Sequence, residues 1–268
     1  TWPNHAPIFT SSGFHVENYK YFDKKNNNID FDGMLESIKG IPENDIVVLH
    51  GCCHNPTGAD LNKDQWIEIT ELIRKKNLVT ICDFAYQGLG EGIENDAVGV
   101  RTLLKNLDNL IICSSYSKNF GLYSERVGCL IYHSKNMNNY SSVQSNFKKV
   151  ARTIYSNPPS HGSDIVKTIL SDEKLKSLWE INLNEAKNRI INMRKSLVEN
   201  LVKENCSRNF EFIINQKGMF SFTGLSSDEV NQLKEKFSIY IVNSGRINVA
   251  GVTSKNVNYI AKAISSVI

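Results

Sequence analysis

The chain is short of the features that mark unusual protein classes. Six Pro and 16 Gly among 268 residues are too few for a collagen-like or Pro/Gly-rich disordered chain. Its apolar runs are short, and none has the length of a membrane-spanning helix. An excess of one charge is missing as well. The 31 Lys and Arg stand against 28 Asp and Glu, a net charge of +3 that is too mild to recruit nucleic acid. The pairs Lys24-Lys25 and Lys148-Lys149 read as solvated faces. There is no initiator Met: the chain opens on Thr1-Trp2-Pro3-Asn4-His5, which points to a processed or truncated N-terminus. No CxxC pair occurs among Cys52, Cys53, Cys82, Cys113, Cys129 and Cys206. The first five lie in or beside apolar runs that read as buried strands, where a thiol behaves as a small hydrophobe. A reduced, intracellular chain is therefore expected. The cluster His50-Gly51-Cys52-Cys53-His54 matches no common zinc spacing, so no metal is expected. The sequons at Asn139 and Asn205 are expected to stay silent in that compartment.

What is present is ordinary globular composition, 41% hydrophobic and 22% charged. The length suits one large domain or two modest ones. Ile46 to Leu49, Leu78 to Cys82, Leu110 to Cys113 and Val127 to Tyr132 read as buried strands. Between the first two lies a helix with Trp66, Ile69, Leu72 and Ile73 on one face and Asn62 as its cap. Continuous apolar strands alternating with helices predict an α/β fold whose mostly parallel sheet is covered on both faces. From about Ser163 to Glu204 the spacing is helical. After Arg208 a smaller α+β region is expected. Its strands would be Phe210 to Ile214, Met219 to Phe222, Tyr240 to Val242 and Ile247 to Val249, with helices from Asp228 and from about Lys255.

Ligands of such sheets gather at the carboxyl ends of the strands. Three ends carry unusual polar residues: Asn55-Pro56-Thr57-Gly58; Asp83 followed by Tyr86; and Ser115, Ser117, Lys118 and Gly121, with Arg126 eight residues past the lysine. Singly, each reads as a turn, a cap or a surface charge. Together they match the needs of pyridoxal phosphate. That cofactor takes a lysine amine, a carboxylate for its pyridine nitrogen, donors for its phenolic oxygen, and hydroxyls with a cation for its phosphate.

At these residues the sequence resembles the class I aminotransferases of pyridoxal-phosphate fold type I, and specifically the aspartate aminotransferases. The matching segments are Trp2-Pro3-Asn4-His5, Asn55-Pro56-Thr57-Gly58, Asp83 to Gly88, Ser115 through Arg126, Ser156-Asn157-Pro158-Pro159, Gly218-Met219-Phe220 and Ser244-Gly245-Arg246. They follow the family's order across nearly the whole chain. The resemblance implies a ping-pong exchange of an amino group between aspartate and 2-oxoglutarate through a Lys118 aldimine. Lys118, Asp83 and Tyr86 would be catalytic. Asn55, Trp2, His5, Ser115, Ser117 and Arg126 would join them in holding the cofactor. Arg246 would clamp the substrate α-carboxylate, with Asn55, Trp2 and Phe220 beside it. Arg152 would bind the distal carboxylate in a partner subunit's site.

The same resemblance implies a homodimer with shared sites, acting on dicarboxylic amino acids and 2-oxo acids, without nucleic acid or membrane. It implies a cytoplasmic location, with a mitochondrial one left open. It further implies a large cofactor-binding domain at residues 1–183, incomplete at its N-terminus, and a small domain at 184–268. The family's phosphate-binding turn and the tyrosine it gives to the neighbouring subunit lie upstream of the Trp2 segment. Two alternatives remain: an aromatic or broad-range aminotransferase on the same scaffold, and an inactive fragment of the fold.

Overall fold

The chain starts with a helix, α1 (His5–Ser11), and a two-stranded antiparallel ribbon of β1 (Phe22–Asp23) and β2 (Asn28–Ile29). These come from a computed structural model that describes residues 1–268 and every side chain but that of Met137. Asp30 caps α2 (Phe31–Lys39) by accepting the Gly33 N–H, and Met34 and Ile38 face inward. The apolar run at 46–49 forms β3 (Ile46–His50). Asn62 closes a capping box with Gln65 at the head of α3 (Lys63–Lys75), whose Trp66, Ile69 and Ile73 are buried as their spacing predicts. Then follow β4 (Val79–Phe84), α4 (Ile93–Asp96), α5 (Val98–Asn106), β5 (Asn109–Ser115) and β6 (Gly128–Ser134).

The sheet order is β3-β4-β5-β6, with the first three strands parallel and β6 antiparallel to β5. This is the expected α/β architecture, and its two faces are covered unequally. Val47, Leu49, Cys82, Phe84, Leu110 and Ile112 are buried in one cluster with Trp66 and Ile69 of α3 and Val100 and Leu103 of α5. The alternate residues Ile46, Val48, Ile81 and Ile111 are only partly covered, and β6 buries nothing, with Leu130 51% exposed. Cys113 and Cys129, expected to be buried, are exposed for this reason. The first points to the thinly covered face and the second sits on the last strand.

Beyond β6 run α6 (Tyr140–Tyr155), α7 (His161–Ser171) and α8 (Glu173–Lys203). The expected helical stretch is thus two helices parted at Asp172, whose carboxylate caps α8 by accepting the N–H groups of Lys174 and Leu175. Helix α8 carries the chain through residues 183 and 184 without a break. Next come α9 (Phe212–Asn215), β7 (Phe220–Phe222), α10 (Ser227–Phe237), β8 (Arg246–Asn248) and α11 (Val257–Val267). Helix α8 packs against α7, α9 and α11. Strands β7 and β8 pair antiparallel, with Phe222 opposite Arg246.

Two expected strands do not form among the described residues. At 210–214, Asn209 Oδ1 accepts the Glu211 N–H at 2.7 Å and starts a turn that leads into α9. At 240–242 the chain leaves α10 through Ser238 in the left-handed conformation (φ 52°) and runs on unpaired, with Tyr240 and Val242 exposed and Ile241 partly buried against the core.

Candidate active site

Asp83 sits one residue before the end of β4, opposite His50 of β3 and Cys113 of β5. Strand alternation sends its neighbours Cys82 and Phe84 into the core and turns the carboxylate to the thinly covered face. There His5 Nε2 meets Asp83 Oδ2 at 3.0 Å. The Thr1 hydroxyl bridges His5 Nδ1, at 2.6 Å, and His50 Nε2, at 2.9 Å. Burial drives the His50 pKa down to about 4, although Asp83 pulls the other way. Thr1 lies outside the residues that motif and spacing single out, and His50 enters the sequence reading only through the cluster at residues 50–54. Their signal was positional: His50 ends β3 beside the place where Asp83 ends β4. His5, His50 and Asp83 present ligand-type atoms within 4.8 Å of one another, as do Cys52, Cys53 and Asp96. The Asp96 carboxylate is already engaged by the N–H groups of Gly88, Gly90 and Glu91.

Tyr86 lies two residues past β4 with its ring buried. Its hydroxyl accepts from Asn55 Nδ2 at 3.3 Å, while Asn55 Oδ1 accepts from Arg246 at 2.9 Å. One amide thus ties the phenol to the guanidinium. Burial raises the Tyr86 pKa to about 12; the Asn55 donor and the Arg246 charge oppose the rise, and Asp83 adds to it. The Arg246 guanidinium lies 4.5 Å over the Phe220 ring, which meets Tyr86 edge-on at 6.1 Å.

Lys118 is on the loop after β5, with Nζ 5.0 Å from the centre of the Tyr86 ring. Burial lowers its pKa and the Arg126 charge adds to that, while Asp83 opposes them. The result is a larger fraction of free amine. A cavity of about 360 Å³ opens beside it, walled by Leu89, Phe120, Leu178, Trp179 and Leu183. Trp179 of α8 stacks on Phe120 at 4.5 Å and donates from Nε1 to the Asn119 carbonyl at 2.8 Å, which fixes the loop next to the lysine. Ser115 ends β5, its Oγ accepting the N–H of the buried Ser117 at 3.2 Å. Arg126 is exposed and donates to the Tyr123 carbonyl at 2.9 Å. Trp2 is exposed and meets His5 edge-on at 5.4 Å.

Eight expected residues thus converge: Lys118, Asp83, Tyr86, Asn55, His5, Trp2, Arg246 and Phe220. Ser115, Ser117 and Arg126 flank Lys118 on its own loop. Arg152 stands apart. It is exposed in the last turn of α6, donates to Ser156 Oγ at 2.7 Å, and makes no hydrogen bond or ion pair with the cluster among the described residues.

The chain is similar to known proteins along its whole length. Residues 1–264 match the family described as aminotransferase class I and II. The chain is 44% identical over 268 residues to an aspartate aminotransferase of Haemophilus influenzae, covering 100% of this chain and 68% of that protein. It is 42% identical over 267 residues to an aromatic-amino-acid aminotransferase of Escherichia coli, covering 100% and 67%. A crystal structure of the aromatic-amino-acid aminotransferase from Burkholderia pseudomallei, covalently bound to pyridoxal phosphate, matches with a TM-score of 0.98. That match has 45% identity and covers 100% of this chain and 67% of the other. The chain spans about two thirds of the length of these relatives.

Proposed function

The chain belongs to the class I and II aminotransferases, and on that footing we propose that it exchanges an amino group between aspartate and 2-oxoglutarate, giving oxaloacetate and glutamate. Enzymes of this class use pyridoxal phosphate, and the donor set fits it: one partly buried amine, one carboxylate, a phenol with an amide beside it, two hydroxyls and a guanidinium. Lys118, Asp83, Tyr86, Asn55, Trp2, His5, Ser115, Ser117 and Arg126 would hold it. When bound, it supplies a carbonyl that takes up the amino group and a ring that draws electrons from the substrate carbon.

The chain's own residues do the rest. Arg246 grips the substrate α-carboxylate with its planar fork, kept in place by Asn55 and by the face of Phe220. Lys118 Nζ would shuttle the proton between the substrate α-carbon and the cofactor within each half-reaction, in opposite directions in the two; its lowered proton affinity suits both. Asp83, oriented by His5, would keep the cofactor's ring nitrogen protonated, and Tyr86 and Asn55 would donate to its ring oxygen.

The observation that carries this reading is the Lys118 amine, partly desolvated and set against Tyr86, with the Asp83 charge acting on it. Residues 1–183 would form the cofactor-holding unit and 184–268 the smaller unit that brings in Arg246. A homodimer with shared sites would give Arg152 its role, since it lies apart from the cluster of its own chain. A cytoplasmic location belongs to the same reading; among the described residues, no helix is long and apolar enough to cross a membrane. The 42% identity to an aromatic-amino-acid aminotransferase supports a broader substrate range as the second reading.

Borohydride reduction of the cofactor-loaded protein is expected to fix the label at Lys118, and label at another lysine would refute the site. Relative rates on aspartate and phenylalanine separate the two substrate readings. Arg152→Asp is expected to turn the preference from dicarboxylic toward cationic amino acids, and an unchanged preference would sink the dicarboxylate assignment.

A further inference from the structure

Arg194 has one of the most deeply buried large side chains in the molecule, 2% exposed. Among the described residues it forms no ion pair. Its guanidinium instead collects four oxygen acceptors from one short stretch of chain. It donates to the carbonyls of Gly218 and Phe220, both at 2.7 Å, to that of Ile213 at 3.3 Å, and to the Ser221 hydroxyl. A buried charge with only neutral partners is costly, and an apolar side chain of similar volume is often the more stable choice. Burial accordingly lowers its pKa to about 10. What the charge supplies is geometry. A planar fork with several donors fixes carbonyls at set angles, as no apolar side chain does.

The stretch that it fixes touches the site on two sides. The Phe220 ring underlies the Arg246 guanidinium and abuts Tyr86. Residues 220–222 form β7, whose partner strand β8 begins with Arg246, paired with Phe222. The same stretch is pressed against the turn that bears Asn55. Lys217 N donates to Gly58 O at 2.6 Å. A Cβ on Gly58 would stand 2.6 Å from Phe220 O, and one on Gly218 would stand 2.4 Å from Cys53 Cβ. Both glycines have positive φ, so the contact needs them twice over, for space and for conformation. Any displacement of 218–221 therefore moves Phe220, the register of β8 and the approach to Asn55 together.

We propose that Arg194 is a positioning residue for Arg246: its buried fork holds Phe220–Phe222, and through them sets where the substrate's α-carboxylate is gripped. This rests on Arg246 being the α-carboxylate clamp, but not on which side chain the substrate carries. The test uses Arg194→Lys, which keeps the charge and loses the fork, in the cofactor-loaded protein. Two carboxylates without an amino group serve as probes, succinate and 3-phenylpropionate, with binding read from the cofactor's absorbance. The expected result is weaker binding of both by a similar factor, about tenfold, with KM raised to match and kcat little changed. Should Arg194→Lys fail to fold, Ser221→Ala removes one acceptor and is expected to shift both constants by about threefold. A folded variant with unchanged dissociation constants, or one that loses kcat at constant KM, overturns the proposal. If the unaltered protein binds succinate no better than 3-phenylpropionate, the aspartate reading fails while the Arg194 effect on both probes stands. If it binds neither, the clamp itself is refuted and the role of Arg194 falls with it.

Discussion

The two faces of the central sheet are made by the same strands and divide the labour between them. On one, Val47, Leu49, Cys82, Phe84, Leu110 and Ile112 pack with α3 and α5. On the other, the row His50, Asp83 and Cys113 carries titratable groups, and its cover thins from buried His50 through part-buried Asp83 to exposed Cys113. A single step along β4, from Cys82 to Asp83, crosses from stability to chemistry. Alternation of the side chains lets the first face hold the second rigid without sharing its solvent.

This division can be broken from either side. The largest effect is expected from Lys118→Ala on the chemical side. The transamination rate should fall by at least about 10³-fold, while the midpoint of urea unfolding stays in place; a rate within tenfold of the unaltered protein would remove Lys118 from its role. On the packed face the pattern should reverse. Leu49→Ala opens a cavity in a core position that is 2% exposed and should cost about 2–5 kcal/mol in urea unfolding, leaving kcat of the folded fraction unchanged.

The third effect concerns pH. His50 has its pKa lowered from 6.5 to about 4 by burial. The unfolded chain therefore binds more protons than the folded one between those values, and stability is lost as pH falls through that window. The shift corresponds to about 3 kcal/mol, so His50→Gln should flatten the pH dependence of unfolding between pH 6.5 and 4. An unchanged slope would place the acid sensitivity elsewhere. The smallest effect is expected at Leu130 on the open last strand, where Leu130→Ser should change stability by no more than about 0.5 kcal/mol. A cost of several times that would mean that this face is covered in solution.

The same division explains how far the sequence could be read. Features written in neighbouring residues were legible: the Asn62 capping box, the buried stripe of α3, and the turns at Asn55 and Lys118, whose residue types are tied to one cofactor's needs. Features that depend on distant chain were not. Ile46 to Leu49 and Leu110 to Cys113 say that a strand is apolar on both sides, but not whether anything lies over each side, so Cys113 was expected inside. Phe210 to Ile214 has strand-like residues, yet one side-chain bond from Asn209 turns it into a helix start. The Thr1 hydroxyl, which bridges His5 and His50, reaches across 49 residues to His50, and only the register of β3 on β4 could have suggested that meeting. Arg152 was assigned from resemblance to a partner's site, and its distance from the cluster leaves that assignment to the specificity experiment.

Helix α8 has a consequence of another kind. It carries Trp179, which fixes the loop beside Lys118, and fifteen residues later Arg194, which fixes the strand beside Arg246. At about 1.5 Å and 100° per residue, those two anchors are about 22 Å apart on one unbroken rod. Removing or adding a single residue between them would turn one anchor by about 100° relative to the other. No local adjustment at either end could absorb such a turn. The separation is therefore a gauge of fixed length, and this stretch of α8 should accept substitutions on its exposed side far more readily than any change in its count of residues.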